Sequence, residues 1–286
     1  MKHRIYQIFA TGMMCCGMAA ALTACSNDDY LGGHYTTEGA GTILNVTAQT
    51  DKAWADGDII GIAAGYGQND GTARNREYVY QADASSFTNK SGYPIYVKGT
   101  TSIVAYYPFV GTDGAEPTII LNTLNQAQVT DYYFAKVEDV TRQTSEVNLV
   151  FKHALAEVTL KITTPTDESI KSCRLSGFAQ KATVNPYTLD KTLEAPEDLV
   201  VNGTNLKTIT LKLIPQTLST DGAVTPQLVL IGNIRSYTID MSDLQLEAGT
   251  SQEAIINVTD GIGTVDFVPG GSQWEDSGAG GDVKAQ

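Results

Sequence analysis

"EVNLVFKHALAEVTLKI", residues 146–162, decides how this chain is organised. Val147, Leu149 and Phe151 alternate on one parity, and Val158, Leu160 and Ile162 alternate on the other. Successive side chains of a β-strand point to opposite faces, so a strand serving one core cannot change parity without a bulge or a break. The change falls between Lys152 and Leu155. Two strands serving two cores are the expected reading, with the chain divided near residue 145 into a domain at 41–144 and a second at 145–268.

The same period of two recurs outward in both directions. "EYVYQ" (77–81), "YPIYV" (93–97), "TSIVAYYPFV" (101–110) and "PTIIL" (117–121) lie before it; "LKTITLKLI" (206–214), "PQLVLI" (226–231), "SYTIDM" (236–241), "EAIINV" (253–258) and "GTVDFV" (263–268) follow. Asp56-Gly57, Asn69-Asp70-Gly71, Ser91-Gly92 and Asp113-Gly114 supply turns between early runs. Short strands at this spacing predict an all-β protein of sandwich or barrel type. A single helical turn within 121–133 is the only helix expected.

The N-terminus reads differently. Lys2 and Arg4 precede a nearly apolar run from Ile8 to Leu22. Fifteen residues make about 22 Å of helix, short of the roughly 30 Å of a bilayer core, so residues 1–24 are expected to be a signal peptide. Leu22-Thr23-Ala24-Cys25 resembles the bacterial lipobox, which implies cleavage before Cys25 and acylation of its thiol. Residues 25–40, with Gly32, Gly33 and Gly39, suit a flexible lipid-anchored leash. Ser26-Asn27-Asp28-Asp29-Tyr30 looks like the surface-export signal of Bacteroidetes-type lipoproteins, and a solvated tether fits it equally well. Residues 269–286 form a Gly-rich acidic tail with one large anchor, Trp274.

Charge excludes several partners. Without Lys2 and Arg4, the 19 basic residues become 17 against 32 acidic ones, a formal charge of −15. Nucleic acid and an anionic bilayer both need a basic face. With Cys15 and Cys16 in the signal and Cys25 lipidated, Cys173 stands alone and no internal disulfide is expected. Catalytic chemistry is sparse. His153 is the one histidine of the folded part, too few for a zinc set or a nucleophile–base pair beyond a single arrangement, and a hydrogen-bonded structural histidine is the simpler reading. "GYGQNDG" (65–71) has no following helix to make it a phosphate loop. No cofactor, metal or enzymatic activity is expected.

Three stretches carry a family resemblance: "WADGDIIGI" (54–62), "PIYVKGTTSIVAYYPF" (94–109) and "VNLVFKHALAEVTLKI" (147–162). In their order, with the lipobox, the chain resembles a Bacteroidales fimbrillin-family protein of the Mfa-like group, a type V pilus subunit. The resemblance implies two tandem transthyretin-like β-sandwich domains. It implies export as an outer-membrane lipoprotein, cell-surface display in a fimbrium, and partners that are other pilus subunits, in a homo- or hetero-polymer, with host or bacterial surface ligands as possible adhesion targets. It also implies an N-terminal strand that a trypsin-like protease removes, leaving a groove for a neighbour's strand.

On this sequence the plug strand is "GTILNVTAQ" (41–49), with Ile43, Leu44 and Val46 as its apolar residues. Lys52 is the first basic residue after it and the candidate cut; a solvated turn residue is its plain alternative. Arg74 and Arg76 are further candidate cuts. Val265, Phe267 and Trp274, in 263–276, mark the candidate donated strand, whose alternative role is the last strand of the second domain. A surface glycan-binding lipoprotein of a nutrient-uptake system is the other reading of a lipid-anchored β-rich chain. It would recruit the tyrosines at 106–107 and 132–133.

Overall fold

A computed structural model describes residues 41–65, 73–218 and 225–270. The first eleven strands are β1 (Thr42–Ile43), β2 (Asn45–Gln49), β3 (Ile59–Ala64), β4 (Ala73–Gln81), β5 (Ser86–Asn89), β6 (Tyr96–Val97), β7 (Thr101–Tyr107), β8 (Ile119–Asn122), β9 (Tyr133–Val140), β10 (Glu146–Val150) and β11 (Lys152–His153). Eight of them form one sheet in the order β10-β2-β5-β4-β3-β7-β9-β11. Every neighbouring pair is antiparallel except β10 with β2, which runs parallel. β10 and β11 stand at opposite ends of that order, yet only Phe151 separates them in sequence. The sheet therefore wraps round until its margins meet at Phe151. Inside lie Leu44, Val46, Ile60, Ile62, Tyr78, Ile103, Leu149 and Phe151 among others.

The remaining strands are β12 (Ala156–Thr163), β13 (Ile170–Ser176), β14 (Lys181–Val184), β15 (Lys191–Leu193), β16 (Leu199–Asn202), β17 (Thr208–Leu213), β18 (Gln227–Gly232), β19 (Ser236–Asp240), β20 (Ser251–Thr259) and β21 (Ile262–Pro269). Two four-stranded sheets, β17-β12-β20-β21 and β16-β13-β18-β19, share one core. Val158, Leu160 and Ile162 enter it from β12; Cys173 and Leu175 from β13. This alternating burial is what the sequence periodicity calls for. The expected helical turn is present as a short 3-10 turn at Gln126–Gln128, with Asn125 as its N-cap.

The parity change sits where it was expected, but sheet membership moves the division of the chain. Val147, Leu149 and Phe151 belong to the first core, because β10 is the parallel neighbour of β2 and β11 pairs with β9. The strand that would open a second domain at residue 145 thus closes the first sheet, and the crossing comes after His153. Ala154 and Leu155, at the crossing, are buried in a third cluster with Tyr106, Leu121, Phe134, Ala182 and Ile214. A three-stranded sheet, β15-β14-β8, joins the halves here: Ile119–Asn122 of the first pairs antiparallel with Lys181–Val184 of the second.

Candidate functional site: a strand slot and its clamp

β2 lies inside the first sheet, in a slot between two strands distant in sequence. On one side its five residues run in register with Glu146–Val150; on the other Val46 faces Phe87 of β5. β1 adds an antiparallel pairing to β6. Backbone hydrogen bonds extend the slot at both ends: Leu44 N to Ile95 O and Asn45 N to Ser145 O, each 2.9 Å, and Phe151 N to Gln49 O, 2.8 Å. Leu44 and Val46 point into the core and are buried. Ile43 does not fill a pocket; it is 45% exposed, because it falls on the parity opposite Leu44 and Val46.

The chain leaving the slot is held by side chains from all three stretches that carry the family likeness. The Lys52 ammonium lies 2.5 Å from Asp58 Oδ2 and donates to Ala53 O at 3.1 Å. It sits 4.9 Å from the Trp54 ring and 4.7 Å from the Tyr107 ring. Lys52 is therefore no free turn residue. Asp58 also accepts from Ala55 N at 2.9 Å and from the Tyr107 hydroxyl at 3.1 Å. Partial burial alone would raise the Asp58 pKa; Lys52, the Ala55 amide and the Tyr107 hydroxyl outweigh it and hold the carboxyl below its ordinary value. Trp54 packs edge-on against Phe87, Tyr107 and Phe151. One residue before Lys52, Asp51 Oδ2 lies 3.0 Å from His153 Nε2.

His153 is buried between two carboxylates, with Asp131 Oδ2 3.0 Å from Nδ1 and the Tyr133 ring 4.2 Å away. Lys212 of β17 reaches the same Asp131 oxygen at 2.8 Å. Contacts thus run from the exit of β2 to the second half of the chain. On β3, Gly61 lies opposite Tyr106 of β7, and a Cβ there would overlap the Tyr106 ring. The Tyr106 hydroxyl donates to Asn75 Oδ1 at 2.5 Å and accepts from Val110 N at 3.2 Å. Burial pushes its pKa up to about 12.

The other expected positions separate. The Arg76 side chain is only 4% exposed and is paired with Asp113 at 2.9 Å. Burial follows from its register opposite Ile62 in the middle of the sheet. Arg74 is exposed on β4. Val265 and Phe267 lie on β21, paired only with β20 at the margin of its sheet, and pack partly on the second core. Cys25 and Trp274 fall outside the described residues, as do most of 65–71, the signal, the leash and nearly all of the tail. Tyr106, Tyr132 and Tyr133 are buried and Tyr107 is half-buried against Lys52, so these tyrosines do not form an open sugar-stacking surface. Among the described residues, no helix is long and apolar enough to cross a membrane.

Sequence reading missed β5 and the clamp. β5, "SFTN", carries one core residue and gives no periodic signal. Lys52 two residues before a tryptophan, with an aspartate six residues on, was a visible hint of the cage.

A strand seated in a slot inside its own sheet, in an all-β architecture, defines a protein of β-sandwich type. The chain belongs to the fimbrillin-like family, whose model matches residues 47–270. That membership makes it a structural protein of a cell-surface appendage and not an enzyme. No curated protein matches the chain. Among solved structures it is similar to a protein assigned to cell adhesion from Bacteroides uniformis, with TM-score 0.57 and 22% identity over 82% of this chain and 98% of that one. A second, from Bacteroides ovatus, gives 0.56 and 19% over 80% and 97%. The tip fimbrial protein Mfa3 of Porphyromonas gingivalis, truncated at its C-terminus, gives 0.50 and 9% over 82% and 99%. At these identities the likeness establishes the fold.

Proposed function

We propose that the chain is a structural and adhesive subunit of a cell-surface pilus, exported as an outer-membrane lipoprotein through Cys25 and assembled by exchange of an extended strand between subunits. The observation that carries this reading is the placement of β1–β2. In the eight-residue segment Thr42–Gln49, β2 completes the first sheet from within, between β10 and β5, while β1 pairs with β6, and a neighbour's strand entering that slot would find the same backbone partners and the pockets of Leu44 and Val46. Backbone ladders give affinity in such augmentation and alternate side chains give specificity. β21, a marginal strand with alternating partly buried Val265 and Phe267, is the segment suited to be donated. The fimbrial and adhesion proteins of similar fold support the reading.

The test locks the strand. Thr47 Oγ1 and Asn148 Oδ1 lie 3.3 Å apart across β2 and β10, so Thr47→Cys with Asn148→Cys should form a disulfide. Buried Cys173, its thiol pushed up to about 12 by burial, stays out of the exchange. After prolonged digestion with a Lys/Arg-specific protease to free β1–β2, the wild-type chain from residue 26 is expected to form denaturant-resistant ladders on gel filtration and electrophoresis. The oxidised variant should stay monomeric and ladder on reduction. Equal laddering of both forms would overturn strand exchange at this slot. Labelled palmitate entering the wild type but not Cys25→Ala checks the lipid.

A further inference from the structure

We infer that the segment after β2 is a latch that withholds Lys52 from proteases and so keeps β1–β2 in place in the folded subunit. Lys52 is the only Lys or Arg between residues 25 and 73. It is therefore the only point where a Lys/Arg-specific protease could release the first strand before reaching β4. Such an enzyme must draw the target side chain, extended and free, into its own acidic pocket.

Here the ammonium already has the partners that pocket would offer. Asp58 holds it at 2.5 Å, Ala53 O accepts from it at 3.1 Å, and two aromatic rings flank it within 5 Å. Its side chain is 21% exposed. The preceding residue is tied as well, through Asp51 to buried His153. Neighbouring Ala53 and Ala55 are exposed, so the loop backbone itself is open. What guards the bond is the caging of one side chain. Cutting requires losing an ion pair and two ring contacts together, a penalty that slows cleavage by at least about tenfold.

The latch matters for assembly only under the strand-exchange reading above, but its test does not depend on assembly. The folded wild-type chain from residue 26 is treated with limiting trypsin, and fragments are identified by mass over time. Ala53→Lys places a second lysine in the same open loop without a cage. Asp58→Asn removes the ionic partner and keeps the shape. The expected result is no fragment beginning at Ala53 from the native wild type and rapid cleavage after residue 53 in Ala53→Lys. In Asp58→Asn, a roughly tenfold rise confined to Lys52 is expected. Urea midpoints for each variant separate local release from unfolding, since unfolding raises every cut together. Wild-type cleavage at Lys52 as fast as at the introduced lysine, or no cut in Ala53→Lys, overturns the latch. An unchanged rate in an Asp58→Asn chain that stays folded does the same. A failure of ladder formation would instead bear on strand exchange and leave these fragment patterns as they are.

Discussion

Small residues and single charges set the local geometry around the slot. Gly61 lies under the Tyr106 ring, so Gly61→Ala must push that ring off its contacts with Asn75 and Val110. Overpacking of this kind costs about 2 kcal/mol, to be read as a lower urea midpoint with an unchanged slope. At His153, truncation to alanine leaves Asp51 and Asp131 facing an emptied site and removes the ring packed on Tyr133. A loss of about 2 kcal/mol is expected from the hydrogen-bond partners left unmatched and the lost ring packing. Acid dependence follows from Asp58. Its pKa is depressed on folding, so its contribution is complete above the unfolded carboxyl value and is lost as pH falls through the folded one. Below about pH 4 the wild type should lose stability faster than Asp58→Asn, whose curve is flatter, in urea titrations at stepped pH. Glu168 behaves alike. Burial would raise its pKa, but the Ile234 amide and Tyr237 hydroxyl hold it below the ordinary value. Most of these residues stood out in the sequence through their motifs. Their partnerships did not: Asp51 and His153 are 102 positions apart, and no local pattern encodes such a pair.

Among elements, β1–β2 shows how far alternation alone reaches. Leu44, Val46 and Ala48 share one parity and Ile43, Asn45 and Thr47 the other, so alternation sets Leu44 inward even though Ile43 is as apolar. Leu44→Ala should cost about 3 kcal/mol through the cavity it leaves, whereas Ile43→Ala should change stability by less than about 0.5 kcal/mol, as exposed sites do. Equal losses at both positions would mean that the segment sits in another register. Alternation is weaker in β9 and β13. β9 carries a left-handed residue, Asp139 at φ 55°, beside a register shift against β7, and β13 interleaves Lys171, Ser172 and Arg174 with its core residues. Polar outward positions and bulges dilute the apolar alternation while leaving the ladder intact.

Across the whole molecule, the parity change at 152–155 announced two cores but not how they are joined. The buried residues of the third cluster come from six separate stretches of chain, none of which reads as an interface by itself. β8 pairing with β14, Gln126 bonded to both backbone groups of Lys212, and Thr123 bonded to Gln180 at 2.6 Å make the junction continuous with both halves. Apolar contact plus a shared ladder couples the folding of the parts it joins, so the chain should unfold in one transition. Trp54 reports on the first core alone, and with Trp274→Phe its emission isolates that half, while far-ultraviolet dichroism reports on both. In urea the two signals should coincide for the otherwise wild-type chain. Ala182→Asp puts a charge into the buried junction without touching either main core. It should separate the midpoints, with the uncoupled halves melting independently. If the signals already diverge before that substitution, the joint sheet merely touches the two halves, and force along a fibre would not pass through it as through a single body.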